Sequence, residues 1–347
     1  MLDRESIRAL STIDPELEAL LSKHPLPQAA ATLEERRATA AKNLKAAAAN
    51  PPPDVSQKRI DIPTRNGGNS SSYLVAPTDM SKSSKHPLVV LFFGGGFIAN
   101  GCEQMIPIAR GLAKLFGAVT VCGEYRLAPE HAFPAQSQDG YDIVEWAAKN
   151  AESIGANPSD GFVVGGVSAG ANISGVVAQI AKDEGLSPAL TGQWLSVPLF
   201  FAKETVPKGY EELWMAREQN AEAPILPEAA IQGMMMALRP DWHSPWMNPM
   251  FAESGQEGLP PAYFQVDGLD PLRDDGLIYE DILSKAGVKT KIDIYPGWPH
   301  AHFAFFPPSL SGVKKATGDI GKGFAWLLHQ ECDLAEIEKA LKLPNAG

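Results

Sequence analysis

The chain has 347 residues, enough for one large domain or two smaller ones, and its 44% hydrophobic content provides the core of a soluble globular protein. Acidic residues outnumber basic ones by 41 to 30, and the formal net charge of −11 argues against nucleic acid and anionic membranes as partners. The longest unbroken apolar run, Leu88 to Phe93, is strand-sized, so no membrane span is expected; the start, Met1-Leu2-Asp3-Arg4-Glu5, has no signal-peptide pattern, and three cysteines without metal-ligand spacing suit a reduced, cytoplasmic compartment with no metal site.

Asp14-Pro15-Glu16 reads as a helix cap with proline at the first helical position, feeding Leu17, Leu20 and Leu21 onto one face. Thr32 with Glu35 forms a capping box for a second helix that runs through alanines to about Ala49, where Pro51-Pro52-Pro53 stops it. These opening residues read as a helical appendage separate from the rest of the chain. From Lys58 the pattern becomes strand-like: Arg59 to Ile62 alternates, Asn66-Gly67-Gly68-Asn69 turns and Ser72 to Val75 returns, which predicts a hairpin.

Apolar strands follow at Leu88 to Phe93, Ala118 to Cys122, Phe162 to Val167, Trp194 to Val197, Ala262 to Val266 and Thr290 to Tyr295. Helical stretches fall between and after them, at Gln136 to Asn150, Ala169 to Asp183, Asp275 to Ala286 and Lys315 to Gln330. This alternation predicts an α/β protein with a mostly parallel sheet buried on both faces. It breaks down between Phe201 and Met250, where the chain is rich in Met, Trp and Pro. Such a methionine stripe is usually core, but an insert beside an α/β sheet must cover something, and with the first fifty residues it would form a lid. The expected organisation is a helical cap segment over residues 1–53, core over 54–200, a cap insertion over 201–250 and core again over 251–347.

Gly166-Val167-Ser168-Ala169-Gly170 carries the chemistry. A serine between two glycines, after a strand and before a helix, has the form of a nucleophile elbow. The turn is tight enough that Gly166 and Gly170 must lack side chains. Ser168 needs a base and an acid to orient it, and both follow in the order Ser, Asp, His. Asp270 follows the strand ending at Val266, and His300 follows the last strand, so all three candidates gather at the carboxyl ends of strands. Each has a competitor or a plainer reading. Asp270 before a proline reads by itself as a helix cap, and Asp274 reads as the start of the next helix. His302 competes with His300, which is preferred for its place after Gly297-Trp298-Pro299. His131 and His243 read as structural.

An oxyanion needs donors, and Gly94-Gly95-Gly96 follows the strand that begins at Leu88. The backbone amides of Gly95, Gly96 and Ala169 are the candidates. The same glycines satisfy a loose dinucleotide fingerprint, Gly94-x-Gly96-x-x-Ala99, with Glu124 as a ribose-binding acid. That reading leaves Ser168, Asp270 and His300 unexplained, and a hairpin precedes what should be the first strand.

Glu124-Tyr125-Arg126-Leu127-Ala128-Pro129-Glu130-His131, with Phe133-Pro134-Ala135 after it, closely resembles a signature of the hormone-sensitive-lipase-like branch of the α/β-hydrolases. Gly94-Gly95-Gly96-Phe97, the serine pentapeptide, Leu259-Pro260-Pro261-Ala262, Asp270-Pro271-Leu272-Arg273-Asp274 and Gly297-Trp298-Pro299-His300 match it in consistent order. The resemblance implies an α/β-hydrolase fold, a mostly parallel eight-stranded sheet under a helical cap, and a carboxylesterase or lipase. Its nucleophile falls on Ser168, its acid on Asp270 and its base on His300. It implies no metal or organic cofactor, and it leaves a homodimer open.

Three positions depart from the family pattern. Phe93 stands where His is usual before the glycines, Val167 where an acidic residue is usual before the serine, and Ala171 where a second glycine is common. The expected activity is hydrolysis of a small hydrophobic ester through an acyl-enzyme, with Phe97, Trp214, Met215 and Trp246 as candidates for contacting it. The alternatives are acyl transfer, lyase chemistry or cyclisation of a natural product on the same scaffold, or binding without catalysis, as in the family's plant gibberellin receptors.

Overall fold

A computed structural model describes residues 3–26 and 32–343; the outermost parts of the predicted segments 1–53 and 251–347, with residues 27–31, lie outside the described residues. The predicted hairpin forms from β1 (Val55–Pro63) and β2 (Asn69–Pro77), paired antiparallel with Val55 opposite Pro77 and Pro63 opposite Asn69. Six further strands complete the set: β3 (Leu88–Phe92), β4 (Val119–Gly123), β5 (Phe162–Val167), β6 (Gly192–Ser196), β7 (Ala262–Asp267) and β8 (Thr290–Tyr295). They join the hairpin in one eight-stranded sheet of order β1-β2-β4-β3-β5-β6-β7-β8. Only the β1–β2 and β2–β4 pairings are antiparallel.

Every residue of β3 to β7 is buried, which is why these strands read as continuous rather than alternating apolar runs. The β8 edge strand is half-exposed and mixes Lys291 and Asp293 into its pattern. Helices Ile106–Phe116, Ala135–Asn150, Ala169–Asp183 and Arg273–Lys285 make the crossovers, and Ser311–Leu327 packs against β6, β7 and β8. Two short helices escape the sequence pattern, Arg4–Ala9 and Leu334–Ala340, because each buries a single apolar residue, Ile7 and Ile337 respectively. No helix among the described residues is long and apolar enough to cross a membrane.

The first fifty residues are less separate than their composition suggests. Helix Pro15–Lys23 is capped by Asp14, and helix Leu33–Ala48 by the reciprocal Thr32 and Glu35 box. Between the first two helices the backbone fastens onto the loop after β8: Gly297 N–H donates to the Leu10 carbonyl at 2.7 Å, and Asp14 N–H to the Gly297 carbonyl at 3.2 Å. Ser11 Oγ reaches the Gly268 carbonyl, after β7, at 3.3 Å. The amino-terminal segment is therefore a clamp on the two loops that bear Asp270 and His300. The segment after β6 contributes helices Ala216–Gln219 and Glu228–Leu238, and with helix Leu33–Ala48 it covers the carboxyl ends of the strands.

Candidate active site

Ser168 occupies the turn between β5 and the helix Ala169–Asp183, with φ 57° and ψ −117°, a strained conformation for a residue with a side chain. The turn is held from both sides: Ser168 N–H donates to the Ser196 carbonyl at 2.8 Å, and the Ser168 carbonyl accepts from Asn172 N–H at 3.0 Å. The flanking glycines are required by space. A Cβ on Gly166 would lie 2.5 Å from the Gly170 backbone, and one on Gly170 would lie 2.6 Å from the Phe93 carbonyl oxygen.

Asp270 and His300 come to this serine from the ends of β7 and β8. Asp270 is fully buried; its Oδ1 accepts from Leu272 N–H at 2.9 Å, and its Oδ2 lies 2.7 Å from His300 Nδ1. His300 Nε2 lies 2.9 Å from Ser168 Oγ. With Nδ1–H committed to the carboxylate, Nε2 is left with its lone pair toward the hydroxyl. The two loops are tied to each other by Leu269 N–H, which donates to the Trp298 carbonyl at 2.9 Å.

Both competitors are engaged elsewhere. His302 is buried with Nδ1 2.9 Å from Asp267 Oδ1 and Nε2 3.2 Å from the Gly312 carbonyl, so neither ring nitrogen faces Ser168. Burial pushes the Asp267 carboxyl above its ordinary range, partly offset by His302. Asp274 takes Arg273 Nε at 2.7 Å and the Met215 and Ala216 amides at 2.6 Å each, tying the insert to the core.

The three glycines form a braced loop. Gly94 N–H donates to Gln104 Oε1 at 2.7 Å, and Asn100 Nδ2 donates to the Gly94 carbonyl at 2.9 Å. Gly95 and Gly96 have φ of 135° and 63°. No hydrogen bond among the described residues uses the amides of Gly95, Gly96 or Ala169. The loop does not open directly onto a helix, as a dinucleotide fingerprint requires: Phe97 to Gly101 intervenes before the 3-10 turn Cys102–Met105 and the helix Ile106–Phe116. Glu124 is drawn under this loop instead, accepting from Cys102 N–H at 2.7 Å, and burial pushes its carboxyl up. Cys102, Glu103 and Glu124 lie close enough to share an ion, but Glu103 pairs with Arg59 and burial drives the Cys102 thiol far above its ordinary range, away from the thiolate a metal takes.

A cavity of about 250 Å³ lies over Ser168 and His300. Phe97 lines it, as do Gly94, Gly95, Gly96 and Ala169. Trp214, Met215 and Trp246 do not, because each has a stronger local partner. The Trp214 indole donates to Asp275 at 2.8 Å, the Met215 amide is held by Asp274, and Trp246 packs edge-on to Tyr141 with the Arg65 guanidinium over its ring. The insert supplies Ile231, Met234 and Met235 to the cavity wall. Their i, i+3, i+4 spacing was the signal for an inward helix face.

This strand order, elbow and serine–histidine–aspartate chain define the class: the chain belongs to the alpha/beta hydrolase fold family, in its hormone-sensitive-lipase-like branch, with the match to that family spanning residues 89–304. Among its relatives, "AB hydrolase superfamily protein B1A11.02" of Schizosaccharomyces pombe is 35% identical over 91% of this chain and 94% of its own. "Carboxylesterase NlhH" of Mycobacterium tuberculosis is 37% identical over 67% of this chain and 71% of its own. Among solved structures, vibralactone cyclase superposes with a TM-score of 0.85 at 31% identity, over 95% of this chain and 97% of that one. An esterase of Pyrobaculum calidifontis does so with a TM-score of 0.76 at 28% identity, over 91% and 98%.

Proposed function

We propose that the chain hydrolyses carboxylic esters through an acyl-enzyme on Ser168. The observation that carries this reading is the continuous chain of contacts from Asp270 through His300 to Ser168, at 2.7 and 2.9 Å, opening onto an apolar cavity. In the proposed sequence, His300 takes the Ser168 proton as Oγ attacks the ester carbonyl. Asp270 stabilises the imidazolium without taking its proton. The amides of Gly95, Gly96 and Ala169 receive the oxyanion, aided by the positive end of the helix beginning at Ala169. His300 then protonates the leaving alcohol and activates the water that releases the acid.

Ser168→Ala tests the reading on a short-chain aryl ester such as p-nitrophenyl acetate, with folding checked by melting temperature. The expected loss in kcat is about 10⁴-fold or more. Undiminished turnover in that variant would remove the mechanism.

A second reading is a cyclisation or acyl transfer on a natural product, and the likeness to vibralactone cyclase favours it. A cavity walled in part by Met234 and Met235 would shield an acyl-enzyme from water and let an internal hydroxyl compete as acceptor. Recovery of only acid and alcohol from the physiological substrate would eliminate it.

A further inference from the structure

Two adjacent arginines open the helix Leu33–Ala48 and meet opposite fates. Arg37 is saturated: Nε donates to the Ile98 carbonyl at 2.8 Å, Nη2 to the Ala128 carbonyl at 2.9 Å, and both terminal nitrogens to Glu130 at 2.6 and 2.8 Å. That fork fixes the rotation of the helix about its axis. The face turned inward is then Arg36, Ala40, Leu44 and Ala47, at helical spacing, and all but Ala40 line the cavity over Ser168, with the exposed Asn43 at its rim.

Arg36 is half-buried there, and among the described residues it has no hydrogen-bond or ion-pair partner. Burial pulls its pKa down with no carboxylate to offset the effect. Among the described residues the cavity wall contains no aspartate or glutamate, although the chain as a whole carries a net charge of −11. A half-buried guanidinium without a partner, in the wall of this cavity, carries a desolvation penalty that a bound anion would offset. Its planar fork matches a carboxylate in two parallel hydrogen bonds.

We propose that the ester turned over at Ser168 carries a carboxylate, and that Arg36 binds it while the ester carbonyl lies over the serine. This rests on the hydrolase reading above and adds the substrate class. A cavity of about 250 Å³ is larger than the roughly 150 Å³ that holds a benzene ring, so a single ring or a short chain fits within it. The carboxylate can belong to the acyl half, as in a monoester of a short dicarboxylic acid, or to the alcohol half.

Two matched pairs of esters distinguish these sources. On the acyl side, p-nitrophenyl hydrogen glutarate is compared with p-nitrophenyl 5-methylhexanoate, where an isopropyl group replaces the carboxylate. On the alcohol side, 4-acetoxybenzoate is compared with 4-isopropylphenyl acetate. In one pair at least, the anionic ester is expected to exceed its neutral partner in kcat/KM by about 10- to 100-fold, the worth of a charge-assisted hydrogen bond. Arg36→Met should bring that ratio to about one or below, and Arg36→Lys should keep part of it because charge survives without the fork. Ratios at or below one in both wild-type pairs overturn the proposal, as does a ratio that Arg36→Met leaves unchanged. Failure of the underlying hydrolase reading looks different: the neutral esters would not be turned over at all, or their turnover would survive Ser168→Ala.

Discussion

The ring of Phe93 lies flat on that of Tyr125, with centroids 4.0 Å apart and planes 5° from parallel, while the tyrosine hydroxyl donates to the Phe93 carbonyl at 2.8 Å. The residue immediately before the three glycines is thus fixed by its side chain and by its backbone. Here a stacked aromatic pair occupies the place where the family usually has a polar imidazole. Burial holds the Tyr125 phenol well above its ordinary range, so it stays a donor. Tyr125→Phe keeps the stack and strips the donor, leaving a buried carbonyl unpaired. A stability loss of about 1–3 kcal/mol is expected by urea denaturation. A fall in kcat of up to about tenfold with little change in KM is expected as the proposed oxyanion loop loosens. Lowered stability with an unaltered kcat would confine the pair to a folding role.

Two glycines in helices should respond in opposite directions to alanine. A Cβ on Gly170 meets only backbone, including the Phe93 carbonyl oxygen at 2.6 Å, and nothing there can yield without moving β3. Gly170→Ala should cost more than about 4 kcal/mol or leave no soluble protein. Gly233, in the cap helix Glu228–Leu238, has nothing within 4 Å of the added carbon and lies exposed. Gly233→Ala should stabilise by about 0.5–1 kcal/mol, seen as a raised melting temperature.

The two histidines of the last loop separate chemistry from support. His300→Ala removes the proposed base from beside Ser168 and should lower kcat by about 10⁴-fold or more. Because it also leaves a buried carboxylate, Asp270, without its partner, it should cost stability as well. His302→Ala removes the partner of a buried carboxylate, Asp267, and should cost about 3–5 kcal/mol. Its kcat per folded molecule should stay within roughly tenfold of wild type, since neither ring nitrogen of His302 faces the serine. Chemical denaturation and steady-state kinetics on both variants test this. A His302→Ala enzyme as inactive as His300→Ala would reverse the assignment.

The sheet was legible because β3 to β7 are buried on both faces and so carry no polar alternation to confuse the reading. The approach of Ser168, Asp270 and His300 was legible for a topological reason: each follows a parallel strand, and parallel strands end on the same side. The cavity wall was legible only in part. Trp214 and Trp246 were expected there on size and apolarity. Their positions are decided by Asp275 and Arg65, distant in sequence, which draw them away. The docking of residues 10–14 on Gly268 and Gly297 runs through backbone carbonyls and amides, which leave no mark in side-chain pattern. Arg36 and Arg37 look alike in the sequence; what tells them apart is the reach of Arg37 to Glu130 and to the Ile98 and Ala128 carbonyls.

Asp275 gives the fold a pH dependence of a definite sign. It is fully buried beneath the insert, and its carboxylate accepts from the Phe200 and Phe201 amides at 2.8 and 3.0 Å and from the Trp214 indole at 2.8 Å. Burial nevertheless outweighs these donors and the Arg217 guanidinium at 3.9 Å, and pushes its pKa from 3.8 up to about 6. Between those two values the native chain holds a proton that the unfolded chain has lost, so this group's contribution to stability falls as pH rises. The contribution is fully present below about pH 4 and gone above about pH 6, and its size is about 3 kcal/mol. The comparison with Asp275→Asn isolates it, because the amide does not titrate and all other carboxylates are shared. The stability of wild type relative to this variant, from urea denaturation at pH 4.5 and pH 7, should be greater at the lower pH. A relative stability that instead grows toward pH 7 would mean that the three donors and Arg217 outweigh desolvation, with the carboxylate as the favoured native form.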